Sequence, residues 1–339
     1  MSRTEIGERP HHVAFLLVPE FSMAAFSSAV EPLRIANMLA EQEVFTWELL
    51  SVDGAPVAAS NGIVFTPSGG LKDLRRGNTV FVCSGLNVQK YQTKPLENWL
   101  RRQDRLGVNL GAVCTGCYIL AHAGLLDGYR CTIHWENLAS FTEEFPEITV
   151  STHLFEIDRN RFSSAGGTSP IDMMVTLIAL AEDRDLAQQV AEELIHAPIR
   201  DQTEHQRISL PARIGARHPK LVQIVAAMEE NLEDPLSPAE LAQDAGISTR
   251  QLERLFRRYL NRSPKRYYLE LRLQKARQLL LQTDMSVINV AMACGFTSPS
   301  HFSKCYRAFF DRTPYRERGL PGPHLARAVE QAEDFAERG

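Results

Sequence analysis

A cysteine set among small residues is the first feature of this sequence that could do chemistry. Residues 111–116 read Gly-Ala-Val-Cys-Thr-Gly, directly after an apolar run and directly before a helical pattern. The arrangement is typical of a nucleophile elbow, which would place Cys114 at a helix N-terminus, where the dipole and free N–H groups stabilise a thiolate. Three interpretations stay open for Cys114: catalysis, a place in a ligand pocket, or a buried structural thiol.

An aromatic and a carboxylate follow nearby, since residues 134–136 read His-Trp-Glu and begin the next predicted helix. This pair suits an organic cation or a quaternary ammonium group, because the indole face and the negative charge both attract it. The alternative is that Trp135 lies in the core and Glu136 faces solvent. The candidate pocket residues are Cys114, Thr115, His134, Trp135 and Glu136.

Cys114 and Cys117 also form a C-x-x-C pair, which can be redox-active at a helix N-terminus. Against that role, Cys117 would fall inside the helix and pack inward. With no second C-x-x-C and no clustered histidines, the sequence predicts no metal site and no cofactor. The six cysteines are scattered through apolar segments, so we expect reduced thiols rather than a disulfide framework.

The last third of the chain contains one helical layout twice. In each copy a short helix with a small residue inside it ends at a glycine, and a serine then opens a second helix. The residues are Ala242, Gly246 and Ser248 in the first copy and Ala291, Gly295 and Ser298 in the second. Glycine supplies the positive φ that a tight helix-turn-helix corner favours. A rigid helix predicted over 267–281 joins the copies.

Outward-facing side chains on the two second helices could read DNA. Two such helices on one rigid body suit successive major-groove turns, about 34 Å apart. Arginine can bind guanine through two hydrogen bonds, serine and histidine can contact base edges, and other basic residues bind phosphates. The candidate base-reading residues are Arg250, Glu253, Arg254, Ser300, His301, Ser303 and Lys304, and the candidate phosphate contacts are Arg257, Arg258, Arg262, Lys265 and Arg266.

Formal charge is divided unevenly along the chain, although the total is only −4. Residues 1–211 carry 17 Lys and Arg against 26 Asp and Glu, or −9; residues 212–319 carry 18 against 11, or +7; and residues 320–339 carry 2 against 4, or −2. The basic region is therefore the one expected to meet a polyanion. The alternative, a helical bundle whose basic face is only solvated, is disfavoured by the doubled motif.

The first part of the chain alternates strand-like and helix-like segments. Apolar runs at 13–18, 80–83 and 108–113, with late strands over 151–158 and 161–165, predict an α/β domain with a doubly wound, mainly parallel sheet. We expect this domain at 10–196, a linker at 197–217, an all-α double helix-turn-helix domain at 218–319 and a flexible tail at 320–339.

Membrane and secretion signals are missing from the sequence. No run of about 18 uncharged apolar residues is present, so we expect no membrane span. The apolar run at 13–18 is too short for a signal-peptide core, and no small-residue cleavage site follows it. The expected location is the cytoplasm.

The all-α region resembles the AraC/XylS-type DNA-binding domain. The resemblance is carried by residues 275–280 (KARQLL), 293–296 (ACGF) and 309–314 (FFDRTP), together with Phe302 and Tyr306. It implies a transcriptional regulator that binds double-stranded DNA, commonly as an activator that contacts RNA polymerase.

Residues 12–195 resemble the ThiJ/PfpI, class I glutamine amidotransferase-like fold, through the elbow and the segments 124–128 (GLLDG) and 131–135 (CTIHW). The resemblance implies a flavodoxin-like domain. Hydrolytic members commonly carry a histidine directly after the nucleophile and an acidic residue early in the first helix, where this chain has Thr115 and Ala25. We therefore expect a vestigial elbow and no enzyme activity.

The pairing of the two domains resembles the GlxA-type regulators. It implies that a small-molecule effector, such as an amine, a betaine or an amino-acid derivative, binds the first domain and controls DNA binding by the second. It also implies a homodimer. Two other functions stay open: a cysteine hydrolase or amidase with a DNA-binding appendage, and a thiol-redox regulator.

Overall fold

The computed structural model describes residues 10–196 and 198–319 of the chain. They form two compact units, the first ending at Arg207 and the second beginning at Ile208. The tail predicted at 320–339 lies outside the described residues. None of the helices in the described ranges combines the length and hydropathy needed to cross a bilayer.

Strands and helices alternate through the first unit. Its strands are β1 (His11–Leu17), β2 (Phe45–Leu50), β3 (Val57–Ala58), β4 (Val64–Phe65), β5 (Thr79–Cys83), β6 (Asn109–Val113), β7 (Arg130–Thr132), β8 (Thr149–Ser151), β9 (Phe155–Asp158) and β10 (Arg161–Ser164). Its helices are α1 (Met23–Leu39), α2 (Lys94–Arg105), α3 (Gly116–His122), α4 (Leu138–Glu144), α5 (Ser169–Ala181) and α6 (Arg184–Glu193).

The main sheet has six strands in the order β2-β1-β5-β6-β10-β9. Its neighbouring strands are parallel except for β10 and β9, which are antiparallel. All five residues of β5 are buried, because helices cover both faces of the sheet. This confirms the predicted doubly wound, flavodoxin-like class, in which ligands bind beyond the carboxyl ends of the strands.

Side chains of the central strands alternate between two hydrophobic cores, one on each face of the sheet. In β1, Phe15 and Leu17 join the core built with α1, α5 and α6, whereas Ala14 and Leu16 join the core built with α2, α3 and α4. The period of two follows from the pleat of the strand. Burial of each large side chain contributes about 1.5–3 kcal/mol, so both faces hold the sheet in place.

The strand predicted over 151–158 is in fact two strands, β8 and β9. The chain breaks between them because it changes partner: β8 pairs with β7 in a small separate sheet, and β9 pairs with β10 in the main sheet. Between the two strands, Leu154 donates its N–H to the carbonyls of Gln202 and Glu204 at 3.1 Å. Local periodicity cannot show such a change of partner.

All the regular secondary structure in the described part of the second unit is helical, as predicted. Its helices are α7 (Leu210–Ile214), α8 (Pro219–Glu230), α9 (Pro238–Asp244), α10 (Thr249–Leu260), α11 (Pro264–Gln282), α12 (Val287–Ala293), α13 (Pro299–Phe310) and α14 (Pro314–Glu317). The joining helix α11 contributes Tyr268 to a core with Phe256 of α10, and Ala276 to a core with Phe302 of α13. One helix therefore holds both halves of the unit.

Candidate functional site

Two helix-turn-helix motifs are built from α9 with α10 and from α12 with α13. Their corners contain Gly246 at φ 60° and Gly295 at φ 71°. Ser248 and Ser298 then cap the second helices, each accepting the N–H three residues further on, at 3.2 and 3.3 Å. Such caps satisfy donors that would otherwise lack a partner at a helix start.

Arg272 of α11 braces the second motif. Its Nε donates to the carbonyl of Cys294 at 2.7 Å, its Nη2 donates to that of Gly295 at 2.6 Å, and the guanidinium lies 4.1 Å from the ring centre of Phe296. A Cβ at Gly295 would lie 2.6 Å from the carbonyl oxygen of Glu233, in the loop between α8 and α9. The turn of the second motif thus packs directly on the loop that leads into the first.

The outer faces of α10 and α13 present the predicted DNA-reading side chains. Arg250 and Arg254 are exposed, and no carboxylate within the described ranges forms an ion pair with either. In contrast, Arg262 and Arg266 both pair with Glu270, which partly neutralises their charge. Among the other predicted contacts, Arg257, Arg258, Lys265, Ser300, His301 and Lys304 are exposed, and Glu253 and Ser303 are half-buried.

In the first unit, the predicted elbow cysteine adopts elbow geometry. Cys114 joins β6 to α3 with φ 61°, a left-handed conformation that is uncommon outside glycine. Its N–H donates to the carbonyl of Ser164 at 3.0 Å. Glycine is required at Gly116, because a Cβ there would lie 2.2 Å from the carbonyl oxygen of Val82. Strained turns of this kind cluster at functional sites.

The surroundings of Cys114 nevertheless disfavour the ionised form of its thiol. Burial, with a smaller contribution from the charge of Glu136, raises the pKa of its thiol to about 12. Desolvation of the sulfur thus outweighs the dipole of the seven-residue helix α3 and favours the neutral thiol. Thr115, which follows the cysteine, donates its hydroxyl to the carbonyl of Gly85 at 2.8 Å and supplies no base.

The second cysteine of the C-x-x-C pair is fully buried within α3. Cys117 Sγ donates to the carbonyl of Thr132 at 3.1 Å. Its hydrogen bond with Cys131, together with burial, raises the pKa of the Cys117 thiol. Both sulfurs of the pair are shielded from solvent, and neither is a thiolate at neutral pH.

A cavity of about 230 Å³ lies beside the elbow. It is lined by His134, Trp135, Leu154, Ala165, Gly166, Gly167, Thr168, Ser169, Arg200 and Gln206. Of the five predicted pocket residues, His134 and Trp135 therefore line it, and the Glu136 carboxylate lies 3.8 Å from His134 Nδ1. Cys114 and Thr115 lie outside the lining. Burial lowers the pKa of His134, so its imidazole is neutral at pH 7.

Arg200 forms one side of the cavity and is held by a fully buried carboxylate. Its Nε and Nη2 donate to Asp172 Oδ2 at 3.0 and 2.6 Å, and its backbone N–H donates to Oδ1 at 2.8 Å. Nη2 also donates to the hydroxyl of Thr168 at 2.9 Å, and His196 Nε2 lies 2.8 Å from Asp172 Oδ1. These contacts fix the beginning of the predicted linker to the first unit.

Gln206 forms another side of the cavity. Its Nε2 donates to Thr132 Oγ1 and to the carbonyl of Ile133, both at 2.9 Å, and to the carbonyl of His153 at 3.0 Å. Its Oε1 is buried, with no hydrogen-bond partner among the described residues. Because a buried acceptor without a partner is costly, a ligand N–H or O–H at this wall would be stabilising.

Both parts of the chain match known families. Residues 11–180 match the DJ-1/PfpI family, and residues 241–319 match a helix-turn-helix domain. The chain is 50% identical over 312 residues to the HTH-type transcriptional regulator GbdR of Pseudomonas aeruginosa (strain UCBPP-PA14), covering 92% of this chain and 85% of that one. It is 36% identical over 319 residues to the HTH-type transcriptional regulator GlxA of Rhizobium meliloti (strain 1021), covering 93% and 97%. The chain belongs to the GlxA-type transcriptional regulators.

A solved structure agrees with this assignment. The crystal structure of an AraC family transcriptional regulator from Pseudomonas putida superposes with a TM-score of 0.50 at 33% identity, over 55% of this chain and all of that one. As a GlxA-type regulator with an AraC-type helix-turn-helix domain, the protein binds DNA and acts on transcription.

Sequence reasoning missed most of the cavity of this GlxA-type regulator. Residues 166–169 show only as a chain break and a helix start, although a Gly-Gly pair before a helix also permits close approach of a ligand. Arg200 and Gln206 carry no local signal, because the partners that fix them, Asp172 and Thr132, are 28 and 74 residues away.

Proposed function

We propose that the protein is a sequence-specific regulator controlled by a small-molecule effector, which binds the first unit and changes how the second unit binds its operator. The observation that carries the proposal is the bracing of two helix-turn-helix motifs into one body, through Arg272 and Gly295. Two helices held in a fixed relation suit neighbouring major-groove turns on one side of a duplex.

The exposed side chains of α10 and α13 divide into two roles. Base reading is assigned to Arg250 and Arg254 with Glu253, and to His301 and Lys304 with Ser300 and Ser303. Phosphate contact is assigned to Arg258 and Lys265, because they lie at the end of α10 and the beginning of α11. Phosphate contacts add affinity without sequence preference.

Two substitutions test this division on duplexes selected from a random library. Arg254→Ala should lower discrimination at one base position by about 1–3 kcal/mol, whereas Lys265→Ala should weaken all duplexes alike and reduce the salt slope by about 1. Arg159→Ala, an exposed arginine of the first unit, is the control. Uniform weakening by both variants would refute the base-reading role, and salt-independent binding would refute duplex binding itself.

The cavity beside the elbow is assigned to the effector. At about 230 Å³ it lies below the range of about 300–1,000 Å³ typical of drug-sized ligands, so it suits a small molecule. The start of α5 favours a carboxylate, and Trp135 with Glu136 favours an ammonium group. Amines, betaines and amino-acid derivatives combine these features.

A thermal-shift screen of such compounds tests the effector site. A ligand at 100 times its Kd adds about 2.7 kcal/mol to the stability of the native state. The shift should disappear in Trp135→Leu and persist in Trp47→Leu, since both indoles are 37% exposed but only Trp135 lines the cavity. Equal loss in the two variants would contradict the assignment.

Cys114 is assigned a structural place behind the cavity rather than a catalytic one, since the hydroxyl of Thr115 is engaged with the carbonyl of Gly85 and burial raises the pKa of the Cys114 thiol to about 12. Incubation of wild type and Cys114→Ala with amide and ester substrates tests this. Turnover that depends on Cys114 would establish the hydrolase alternative, and a redox-dependent response lost in Cys117→Ser would establish the thiol-redox one.

Three further properties are proposed from the family resemblance: a homodimer formed through the first unit, activation by contact with RNA polymerase, and action in the cytoplasm. A typical allosteric coupling of about 1–3 kcal/mol would change operator occupancy about 5- to 150-fold. Sedimentation of the full chain and transcription in vitro, with and without effector, measure the dimer and the direction of regulation.

A further inference from the structure

The second helices of the two helix-turn-helix motifs differ at two matching places. Counted from the start of each helix, the third residue is Gln251 in α10 and His301 in α13. The seventh residue is Leu255 in α10 and Cys305 in α13, and both are half-buried. Since the first motif is built with an apolar side chain at this place, the fold itself does not require the thiol of α13.

In α10 the side chain of the third residue is used by the helix cap. The N–H of Ser248 donates to Oε1 of Gln251 at 2.8 Å, and the Ser248 hydroxyl accepts the N–H of Gln251 at 3.2 Å, which together form a capping box. In α13 the hydroxyl of Ser298 accepts the N–H of His301 at 3.3 Å. The cap of α13 thus uses the backbone of His301, which leaves its imidazole for another role.

The imidazole of His301 has two neighbours in the second motif. Its Nε2 lies 3.4 Å from Sγ of Cys305, one helical turn further on, and its ring centre lies 6.0 Å from that of Phe296, at the corner of the motif. Phe296 is itself covered by the guanidinium of Arg272, 4.1 Å from its ring centre. These two contacts restrict the ring of a side chain that is otherwise exposed.

The contact between the thiol and Nε2 decides which ring nitrogen of His301 carries the proton. Sulfur is a weak hydrogen-bond acceptor, whereas the unprotonated nitrogen of a neutral imidazole is a good one, so the thiol of Cys305 donates its hydrogen to Nε2. The proton of the neutral ring is then on Nδ1, because only one of the two nitrogens carries it. His301 is thereby fixed as a hydrogen-bond donor through Nδ1.

We propose that Cys305 is a positioning residue for base reading: it fixes His301 as an N–H donor, and so selects a base whose major-groove edge carries an acceptor. This inference rests on the base-reading role proposed for His301. In the major groove guanine presents N7 and O6, adenine N7 and thymine O4, whereas cytosine presents its N4 amino donor. A donor on His301 therefore accepts guanine and rejects cytosine. Without Cys305, the other tautomer can accept a hydrogen bond from cytosine, and the preference weakens.

The experiment compares full-length wild type with Cys305→Val, His301→Asn and the variant that carries both substitutions, on duplexes selected from a random library. Cys305→Val removes the thiol donor but keeps an apolar side chain of similar size. Leu255→Val is the matched control, because it puts the same side chain at the same half-buried place of α10, where the third residue is engaged in the cap. NMR of ¹⁵N-labelled histidine, at mildly alkaline pH, shows which nitrogen of His301 carries the proton.

One base position should respond to both substitutions in α13. At the position where His301→Asn lowers discrimination, wild type should distinguish the two orientations of a G·C pair, and Cys305→Val should lower that discrimination about 2- to 10-fold, the range of one neutral hydrogen bond. The double variant should lose no more than His301→Asn alone, since Cys305 acts through the imidazole. Leu255→Val should leave discrimination unchanged at every position. In NMR the proton should be on Nδ1 of His301 in wild type, and Cys305→Val should lose this preference.

The possible failures are distinguishable. If His301→Asn changes discrimination at no position, the base-reading role proposed for His301 is refuted, and the inference with it. If His301→Asn acts at one position and Cys305→Val does not, only the role of Cys305 is overturned, as it also is if Cys305→Val weakens all duplexes alike. If Cys305→Val does not fold, NMR of wild type decides, since a proton on Nε2 of His301 overturns the inference by itself.

Discussion

Arg200 in the first unit and two arginines of α10 in the second unit use their positive charge in opposite ways. In the first, Arg200 is fixed by the fully buried carboxylate of Asp172 and so shapes the wall of a cavity. In the second, Arg250 and Arg254 extend from α10 without an ion-pair partner in the described chain. A guanidinium whose hydrogen bonds are satisfied within the protein organises structure, whereas one without a partner keeps its donors for a ligand.

The largest expected effect is on the free energy of unfolding, in which substitutions of Arg200 and Arg254 should differ most. Arg200→Ala leaves the Asp172 carboxylate buried without its main counter-charge and should lower the unfolding free energy of the first unit by about 3–5 kcal/mol. Arg254→Ala should change that of the second unit by less than about 0.5 kcal/mol. Urea unfolding of the full chain measures the first value through tryptophan fluorescence, since Trp47, Trp99 and Trp135 all lie in the first unit. Similar losses of unfolding free energy in the two variants would contradict the different roles assigned to Arg200 and Arg254.

A second contrast concerns the cysteines. With its pKa raised to about 12, Cys114 should react with iodoacetamide at pH 8 at least about a thousandfold more slowly than free cysteine, because only the thiolate reacts. Cys305 on α13 is half-buried and should be labelled first. Mass spectrometry of peptides from a time course measures both rates. Labelling of Cys114 ahead of Cys305 would contradict the raised pKa and would support a reactive cysteine at the elbow.

The two helix-turn-helix corners offer a sharper comparison within one unit. Gly295→Ala should cost about 2–4 kcal/mol, because its Cβ would meet backbone at 2.6 Å in addition to a positive φ. Gly246→Ala shares the positive φ, but its nearest new contact is Lys220 Nζ at 3.9 Å, so it should cost only about 1 kcal/mol. Thermal unfolding, monitored by circular dichroism, ranks the stabilities of the two variants. Equal costs would mean that the loop at Glu233 moves to accommodate the new Cβ, so that the packing of the second corner on this loop is not rigid.

The smallest expected effect is on pH dependence. Burial lowers the pKa of His134 in the folded state, so the unfolded chain takes up this proton first as pH falls. The resulting stability is fully present above the unfolded value of about 6.5 and declines as pH falls toward the folded value. His134→Asn should flatten this part of the stability profile of the first unit. His301→Asn, which alters an exposed side chain of α13, is the control.

Much of the architecture was predictable because its signals are local. The corners at Gly246 and Gly295 and the caps at Ser248 and Ser298 each depend on residues within one turn of helix. The buried strands β1 and β5 and the elbow at Cys114 follow in the same way from short apolar runs and small residues. The break between β8 and β9 could not be predicted in this way, because the pairing of strands depends on residues that lie far apart in the sequence.

The sequence by itself therefore determined the fold class, the doubled DNA-binding motif and the position of the elbow, since backbone conformation and hydrophobic period are set within a few residues. Only the tertiary structure decided what surrounds the elbow. The neutral thiol of Cys114, the fixing of Arg200 by Asp172 and the placement of Arg207 on Trp135 are all products of burial and of contacts between distant segments. Desolvation and charge pairing depend on everything that packs around a group, and no short stretch of sequence contains that information.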